Sequence, residues 1–544
     1  MSESLFTLGW TNLRGVTSGN AILTDEDRDN IRAFNLRMTS NMSRTTFNQM
    51  RHTFRNKISI GSEWTIINRM AILSQIEPEW YDCCINSCIT YTRQHCDSDI
   101  CPYCHEPRFS SAKKPRRRFP YIPLIPRLQG FFKSPAMIET LSYRHRYVRT
   151  PGTINDIFDC DHYCKLQETY VSIDGKRLNH RFFSGEHDIA LSFCLDGYLL
   201  YKRRRGGPSA TPLLVQIYNL PPEIRTHLCR LLCLGVIPGP HSPKDVYTFL
   251  APFDDECAKL AHGVHTYNPI TNQIFPLRAY CILGHGDIIA IEQMLSIKGH
   301  NGYSPCRSCE ITGVRNVTGH ETVYYVPLTQ PHDTVTPGME PHVWDPRHLP
   351  LRSHASFANT VDLIASARTK TTAAKIAKCT GIKALPALRR VSSLHYGRSF
   401  PWEWAHIICE NLIPNLVSLW MGRFKKLDEG TESYVIAPHI WELIGQETED
   451  AVKHIPSAFV RVLGNLAKDR STFTAEAWCF WFMYLAPILL EGRFRKTKYY
   501  KHLLDLVQIM KICLQFSITH AEIDDLENRI IKWVAQYEKY VELL

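Results

Sequence analysis

The chain has no apolar run long enough to cross a bilayer. Its most hydrophobic stretch, Ala475 to Leu490, falls short of the ~20 residues a spanning helix needs, contains Pro487 and carries Glu476 in its first turn. It reads as a buried helix, and no membrane partner is expected. Met1 to Asn20 lacks both a basic n-region and an apolar h-region, so no secretory leader is expected. Internal repeats and low-complexity segments are also absent. Charge imbalance is small: 63 Lys+Arg against 53 Asp+Glu leaves +10 over 544 residues, so local clustering matters more than the total. With 44% hydrophobic and 21% charged residues the composition is that of an ordinary globular protein of two to four domains. Cysteine is plentiful, at 19. Part of it falls in Cys-x-x-Cys pairs rather than in the even framework of a small secreted domain, which points to a reducing compartment and structural zinc.

Residues 1–75 form a polar N-terminal region with helical patches, the first opened by Asp25-Glu26-Asp27 and running through Arg37. Residues 76–110 form a zinc-binding module. Cys84 and Cys88 are followed after twelve residues by Cys101 and Cys104. Two such knuckles can close a tetrahedral thiolate cage around one Zn²⁺, and four protein ligands leave no open position, so the site is structural. Cys83, Cys96 and His105 are substitutes. Residues 111–165 read as a basic linker. Its Lys113-Lys114-Pro115-Arg116-Arg117-Arg118 run suits nuclear import or a solvated surface, as does Lys202-Arg203-Arg204-Arg205 further on.

From residue 166 to 330 short apolar segments alternate with helix starts, the pattern of an α/β sheet with helices against it. Strands are expected over Tyr170–Ile173, Ile189–Leu195, Pro212–Tyr218, Phe275–Leu283 and Val323–Leu328, and helices beginning at Pro222 and at Ser242-Pro243. Asp196-Gly197, taken alone, reads as a hairpin turn. Residues 331–470 are a His- and Pro-rich loop followed by a helical insertion, and 471–544 a helical C-terminal part. The stretch Arg278 to Cys309 organises the rest: a buried strand, Asp287 at its carboxyl end, a helix, and the knuckle Cys306-Arg-Ser-Cys309. An acid held between the end of a strand and the start of a helix is solvent-facing and rigidly mounted, as a metal-binding carboxylate needs to be.

Several ordered blocks resemble transposases of the CACTA (En/Spm-like) superfamily, in particular the fungal Plavaka-type group. They are Asp188-Ile-Ala-Leu-Ser-Phe-Cys-Leu-Asp-Gly197, Tyr218-Asn-Leu-Pro-Pro-Glu-Ile-Arg225, Gly235-Val-Ile-Pro-Gly-Pro240, Gly286-Asp287, Lys298-Gly-His-Asn301 with Cys306-Arg-Ser-Cys309, and Thr474-Ala-Glu-Ala-Trp478. The resemblance implies an RNase H-like catalytic core with a largely helical insertion. It also implies a DDE-type cut-and-paste nuclease acting on element-end and target DNA in the nucleus, with a homo-oligomer as a further expectation. Asp196 becomes the first acid, on the first strand, and Asp287 the second. Glu476 is the third, with Glu410 as runner-up; as a first-turn acid after Thr474, Glu476 also suits a plain helix-dipole role. Three carboxylates of this kind hold two Mg²⁺ or Mn²⁺ ions about 3.5 to 4 Å apart. The resemblance further implies a second zinc on Cys306, Cys309 and His406, with a fourth group such as His300. The chain departs from the family in carrying Glu403 in place of the aspartate of an Asp-x-x-His motif, in lacking a proline after Asp287, and in stopping soon after Tyr540. A truncated copy, or a catalytically inactive DNA-binding derivative, is the alternative expectation.

Overall fold

The computed structural model describes residues 23–199, 209–315, 324–335, 337–424, 430–456, 458–459 and 463–541. The Lys202–Arg205 run, Lys425 and Lys426 lie outside them. The chain divides into two compact units, Met1–Arg146 with Val171–Cys281, and Tyr147–Tyr170 with Ile282–Leu544.

The first unit begins with three helices, α1 (Asp25–Thr39), α2 (Arg44–Thr53) and α3 (Glu63–Ser74), capped by Thr24, Ser43 and Ser62. They bury Ala33, Phe47 and Ile66, and Arg69 grips Asp27 through two bonds of 2.7 and 2.9 Å. Beyond them lies a sheet of seven strands: β1 (Glu79–Asp82), β2 (Arg118–Tyr121), β3 (Ile189–Leu195), β4 (Tyr198–Leu199), β5 (Ser209–Ile217), β6 (Leu232–Pro238) and β7 (Ala279–His285). Their order is β1-β2-β6-β5-β3-β7, with β4 also on β5. The β1–β2, β2–β6, β6–β5 and β5–β3 pairs are antiparallel. The amide of Ile189, which opens β3, donates to the carbonyl of Arg278, just before β7, at 2.9 Å. Two strands joined at their starts run the same way, so the sheet is mixed.

β3 is apolar on both faces except for Ser192, and six of its seven residues are buried, because both of its faces are covered. One cover is α4 (Val246–His262), capped by Asp245, the last residue of the expected Ser242-Pro243-Lys244-Asp245 start. Phe253 of α4 packs on Phe193 at 5.9 Å, and Phe249 meets Phe119 edge-on at 5.4 Å. Gly235 permits β2 to approach β6, since a Cβ there would lie 2.7 Å from the Pro120 carbonyl. The basic stretch expected to be a linker is partly built into this sheet, as strand β2.

Asp196-Gly197 is not a hairpin turn. Leu195 pairs with Leu213 and Tyr198 with Ala210 in one continuous register, which sets Asp196 across from Pro212. Proline has no amide to donate, so the ladder opens for two residues without reversing. Asp174-Gly175, by contrast, does turn a hairpin, with φ of 48° and 78° at its two central residues. The expected Phe275–Leu283 strand is two elements broken at Arg278: Gln273–Leu277 pairs with Val264–Asn268, and Ala279 onward joins the sheet as β7. Of the expected strand at 323–328, Tyr324–Tyr325 pairs with Val314–Arg315, and Val323 lies outside the described residues.

The second unit is helical: α5 (Ile288–Met294), a π-helical segment Ala405–Leu412 running into α6 (Ile413–Trp420), α7 (Pro438–Ala451), α8 (Ala475–Phe480), α9 (Thr497–Cys513) and α10 (His520–Val541). The apolar stretch from Ala475 is a buried helix, with a π turn over Trp481–Leu485. The core of this unit is rich in tryptophan, and three of its indole N–H groups have acceptors, as burial favours. Trp441 donates to the Trp420 carbonyl (3.1 Å), Trp481 to Thr448 Oγ1 (3.1 Å) and Trp533 to the His502 carbonyl (2.9 Å). His502 stacks on Trp533 at 4.3 Å and bonds its carbonyl in return, which ties α9 to α10. Among the described residues no helix is long and apolar enough to cross a membrane.

Candidate metal centre and carboxylates

Cys84, Cys88, Cys101 and Cys104 come together with all four sulfurs within 4.8 Å of one another. Sulfurs 2.3 Å from a tetrahedral zinc stand about 3.8 Å apart, so the cluster has the size of a Zn²⁺ site. Two tight loops shape it. The Ser87 amide returns to the Cys84 carbonyl (2.8 Å) and the His105 amide to that of Cys101 (2.9 Å), while the Asn86 amide points at Cys84 Sγ (3.3 Å). Burial pushes the Cys84 thiol up to about 11 and raises Cys88 further. At Cys104 burial is outweighed by the Glu106 amide and the Cys84 thiol, which bring it down to about 7. Four thiols this close, three of them buried, repel one another once ionised, and a divalent cation resolves the conflict. The substitutes stand aside: Cys83 is buried in a bridge to Thr90, and Cys96 bonds Asp97. The module is fastened to the same unit. Cys88 carbonyl accepts from the Lys244 and Asp245 amides (3.0 and 3.1 Å), and Thr90 and Thr92 hydroxyls donate to the Thr248 carbonyl at the start of α4.

Asp196 follows β3 directly and is exposed. Asp287 follows β7 and is the N-cap of α5, its Oδ1 accepting from the Ala290 amide at 2.6 Å. The cap engages one oxygen and leaves Oδ2 for another partner. Glu476 sits exposed in the first turn of α8, behind the Thr474 cap. Glu410 is exposed on the π-helical segment.

Cys306 and Cys309 share a thiol hydrogen bond, which, helped by the Arg352 guanidinium, brings Cys306 down to about 6, and which together with burial raises Cys309. Arg352 Nε donates to the carbonyls of both cysteines, at 2.9 and 3.1 Å. His406 meets two acids: Nδ1 lies 2.6 Å from Glu403 Oε2, and Nε2 3.6 Å from Glu410 Oε2. Glu403 also accepts the Ala405 and His406 amides, at 3.0 and 2.5 Å, so the longer side chain caps the helix and orients the imidazole together. His300 bonds Glu292 at 2.9 Å. Among the described residues the four N-terminal cysteines are the one group of three or more such ligands gathered closely enough for a metal; Cys306, Cys309 and His406 are not brought together in this way.

The Lys113–Arg118 run is largely engaged within its unit. Arg116 pairs with Glu106 (2.5 Å), Arg117 donates to the Ile85 carbonyl (2.6 Å), and Arg118 reaches Asp82 (3.6 Å). Sequence reasoning passed over a second basic cluster, Arg495, Lys496, Lys498 and Lys501, exposed just before and within the first turns of α9. Its density in a nine-residue window from Arg493 was the available signal.

Residues 168–328 match the profile of the transposase family tnp2, and this match supports a transposase. The matched segment contains Asp196, Asp287, Cys306 and Cys309. It begins after the four-cysteine cluster and ends before His406, Glu410 and Glu476. No curated protein matches the chain.

Proposed function

We propose that the chain is a DDE-type cut-and-paste DNA transposase of the CACTA kind, built on an RNase H-like core and acting in the nucleus. The observation that carries this reading is the strand order β6-β5-β3-β7, antiparallel twice and then parallel, with Asp196 following β3 and Asp287 following β7 inside the segment that matches the tnp2 family. On this reading the roles of oxygen donors, which hard divalent cations prefer, fall to Asp196, Asp287 and a glutamate. Glu476 is the assigned third acid, with Glu410 its rival. Mg²⁺ or Mn²⁺, when bound, lowers the charge on the scissile phosphate and activates the nucleophile.

The step itself balances simply. A water oxygen bonds to phosphorus as the bond to the 3′ oxygen breaks; the water's proton passes to solvent and the 3′ oxygen takes one up. In strand transfer that 3′-OH attacks target DNA in the water's place. The roles of this chain's residues are to fix the acids on strand and helix ends and to align the phosphate, the positioning on which such catalysis depends. The full chain with Mn²⁺ and element-end DNA is expected to nick or join strands, and Asp196→Asn or Asp287→Asn to abolish both. Activity that survives both substitutions refutes the assignment. A second reading, a DNA-binding derivative without catalysis, draws on the capping role of Asp287 and the first-turn position of Glu476, which are ordinary helix-start features. It predicts salt-sensitive DNA binding with no cleavage by the unmodified chain.

A further inference from the structure

We propose that Arg495, Lys496, Lys498 and Lys501, at the start of α9, form a ridge that grips the sugar-phosphate backbone of duplex DNA. The inference rests on the DNA-acting reading above for its choice of polyanion. Between Glu491 and Asp505 the sequence contains no acid, while Arg493, Arg495, Lys496, Lys498 and Lys501 all fall within nine residues. Arg493 is spoken for, bonding Glu447 at 2.8 Å. The other four are exposed, and none takes part in a salt bridge among the described residues, unlike Arg116 and Arg118 of the other basic run.

Lys498 and Lys501 stand on the first two turns of α9, Lys496 is its N-cap and Arg495 lies in the bend just before it. Tyr499 is buried between them, with its ring 4.9 Å from that of Tyr540 on α10. Lys498 Nζ lies over the same two rings, 4.9 Å from the first and 4.5 Å from the second. The His502–Trp533 pair fixes the next turn of the helix. Lys539, beside Tyr540, adds an exposed cation at this end of the helix pair. Cations held on and next to the first turns of an anchored helix lose less backbone freedom on meeting phosphates than those of a long loop. Such contacts set affinity through counterion release and carry no base sequence.

The test uses the full chain, a fluorescent duplex of arbitrary sequence, and anisotropy titrations over a series of NaCl concentrations. Each lost phosphate contact lowers the slope of log K against log[salt] by about 0.9, so R495Q/K496Q/K498Q/K501Q is expected to flatten it by up to about 3.6 and to weaken binding ~100-fold at moderate salt. R495K/K496R/K498R/K501R, which keeps the charge, is expected to bind as the unmodified chain does. K133Q/K176Q/K259Q/K375Q removes four exposed lysines elsewhere and is expected to change the slope little. An unmodified chain that binds DNA with a slope the ridge variant leaves intact overturns the ridge while the transposase reading stands. An equal loss in the dispersed variant also overturns it, since net charge alone then explains binding. An unmodified chain that binds no duplex at low salt overturns both. Circular dichroism and the thermal midpoint of the variants separate misfolding from lost contacts, and recovery by the charge-keeping variant shows that charge at these positions is what matters.

Discussion

Removing the metal from the four-cysteine cluster is expected to unfasten the segment from β1 to β2. The cage has only thiols to hold its two loops together once zinc is gone, and Cys84, Cys88 and Cys101 are buried. Structural zinc contributes roughly 10–16 kcal/mol of apparent binding energy at pH 7 in small modules, comparable with the total stability of a whole domain at about 5–15 kcal/mol. The hydrogen bonds from Thr90 and Thr92 to Thr248, at about 1 kcal/mol each, cannot replace it. The pH dependence follows from the thiols. Zinc takes thiolates, and without it burial holds Cys84 near 11 and Cys88 higher, while Cys104 sits near 7. Uptake near neutral pH therefore releases protons from at least Cys84 and Cys88, so the apparent affinity rises with pH and falls as the solution is acidified. Metal analysis of the purified chain should give one zinc bound by this cluster. Cobalt substitution should show thiolate charge-transfer absorption that Cys101→Ser removes, and chelation at mildly acid pH should expose the segment to proteolysis. A chain that carries no zinc, takes up no cobalt into a thiolate site and resists proteolysis equally with and without chelator refutes the reasoning.

Further outcomes follow from other parts of the molecule. Asp287→Ala removes a helix cap and should cost about 0.5–2 kcal/mol, whereas Asp287→Asn keeps the cap and should cost little, as thermal or denaturant melts would show. Trp481→Ala opens a fully buried site and removes the indole donor to Thr448 Oγ1, whose own bond to the Ile444 carbonyl stays, with an expected loss of about 3–5 kcal/mol in the helical unit. His395, beside His354 and His162, is lowered to about 4 by burial and by its histidine and arginine neighbours. Its folded value lies below its unfolded one, so the stability of this unit is intact above about pH 6.5 and is lost as pH falls towards 4; His395→Asn should shrink that pH dependence in acid melts.

The parts legible in the sequence were those set by local chemistry. Cysteine spacing gave a cage that the fold closes, because knuckle geometry is local to a few residues. The apolar β3 run and the acid that caps α5 likewise follow from strand burial and helix capping. Asp196-Gly197 misled because the residue that keeps the strand straight, Pro212, lies across the sheet, and pairing of that range is invisible to a local pattern. Arg278 broke an apparently continuous strand for a similar reason, since Gln273–Leu277 has its own partner in Val264–Asn268. The Arg116 to Arg118 side chains resembled free charges until their partners, Glu106, the Ile85 carbonyl and Asp82, arrived from other segments. His406 was legible as a ligand type, yet the acids beside it depend on the helical path from Glu403 to Glu410, including its π segment.

The central claim is most directly tested by strand cleavage. Element-end DNA incubated with the purified chain and Mn²⁺ should yield nicked or joined products with free 3′-OH ends, and Asp287→Asn, with its cap and melting temperature preserved, should yield none. Cleavage by the Asp287→Asn chain at the unmodified rate would contradict the account.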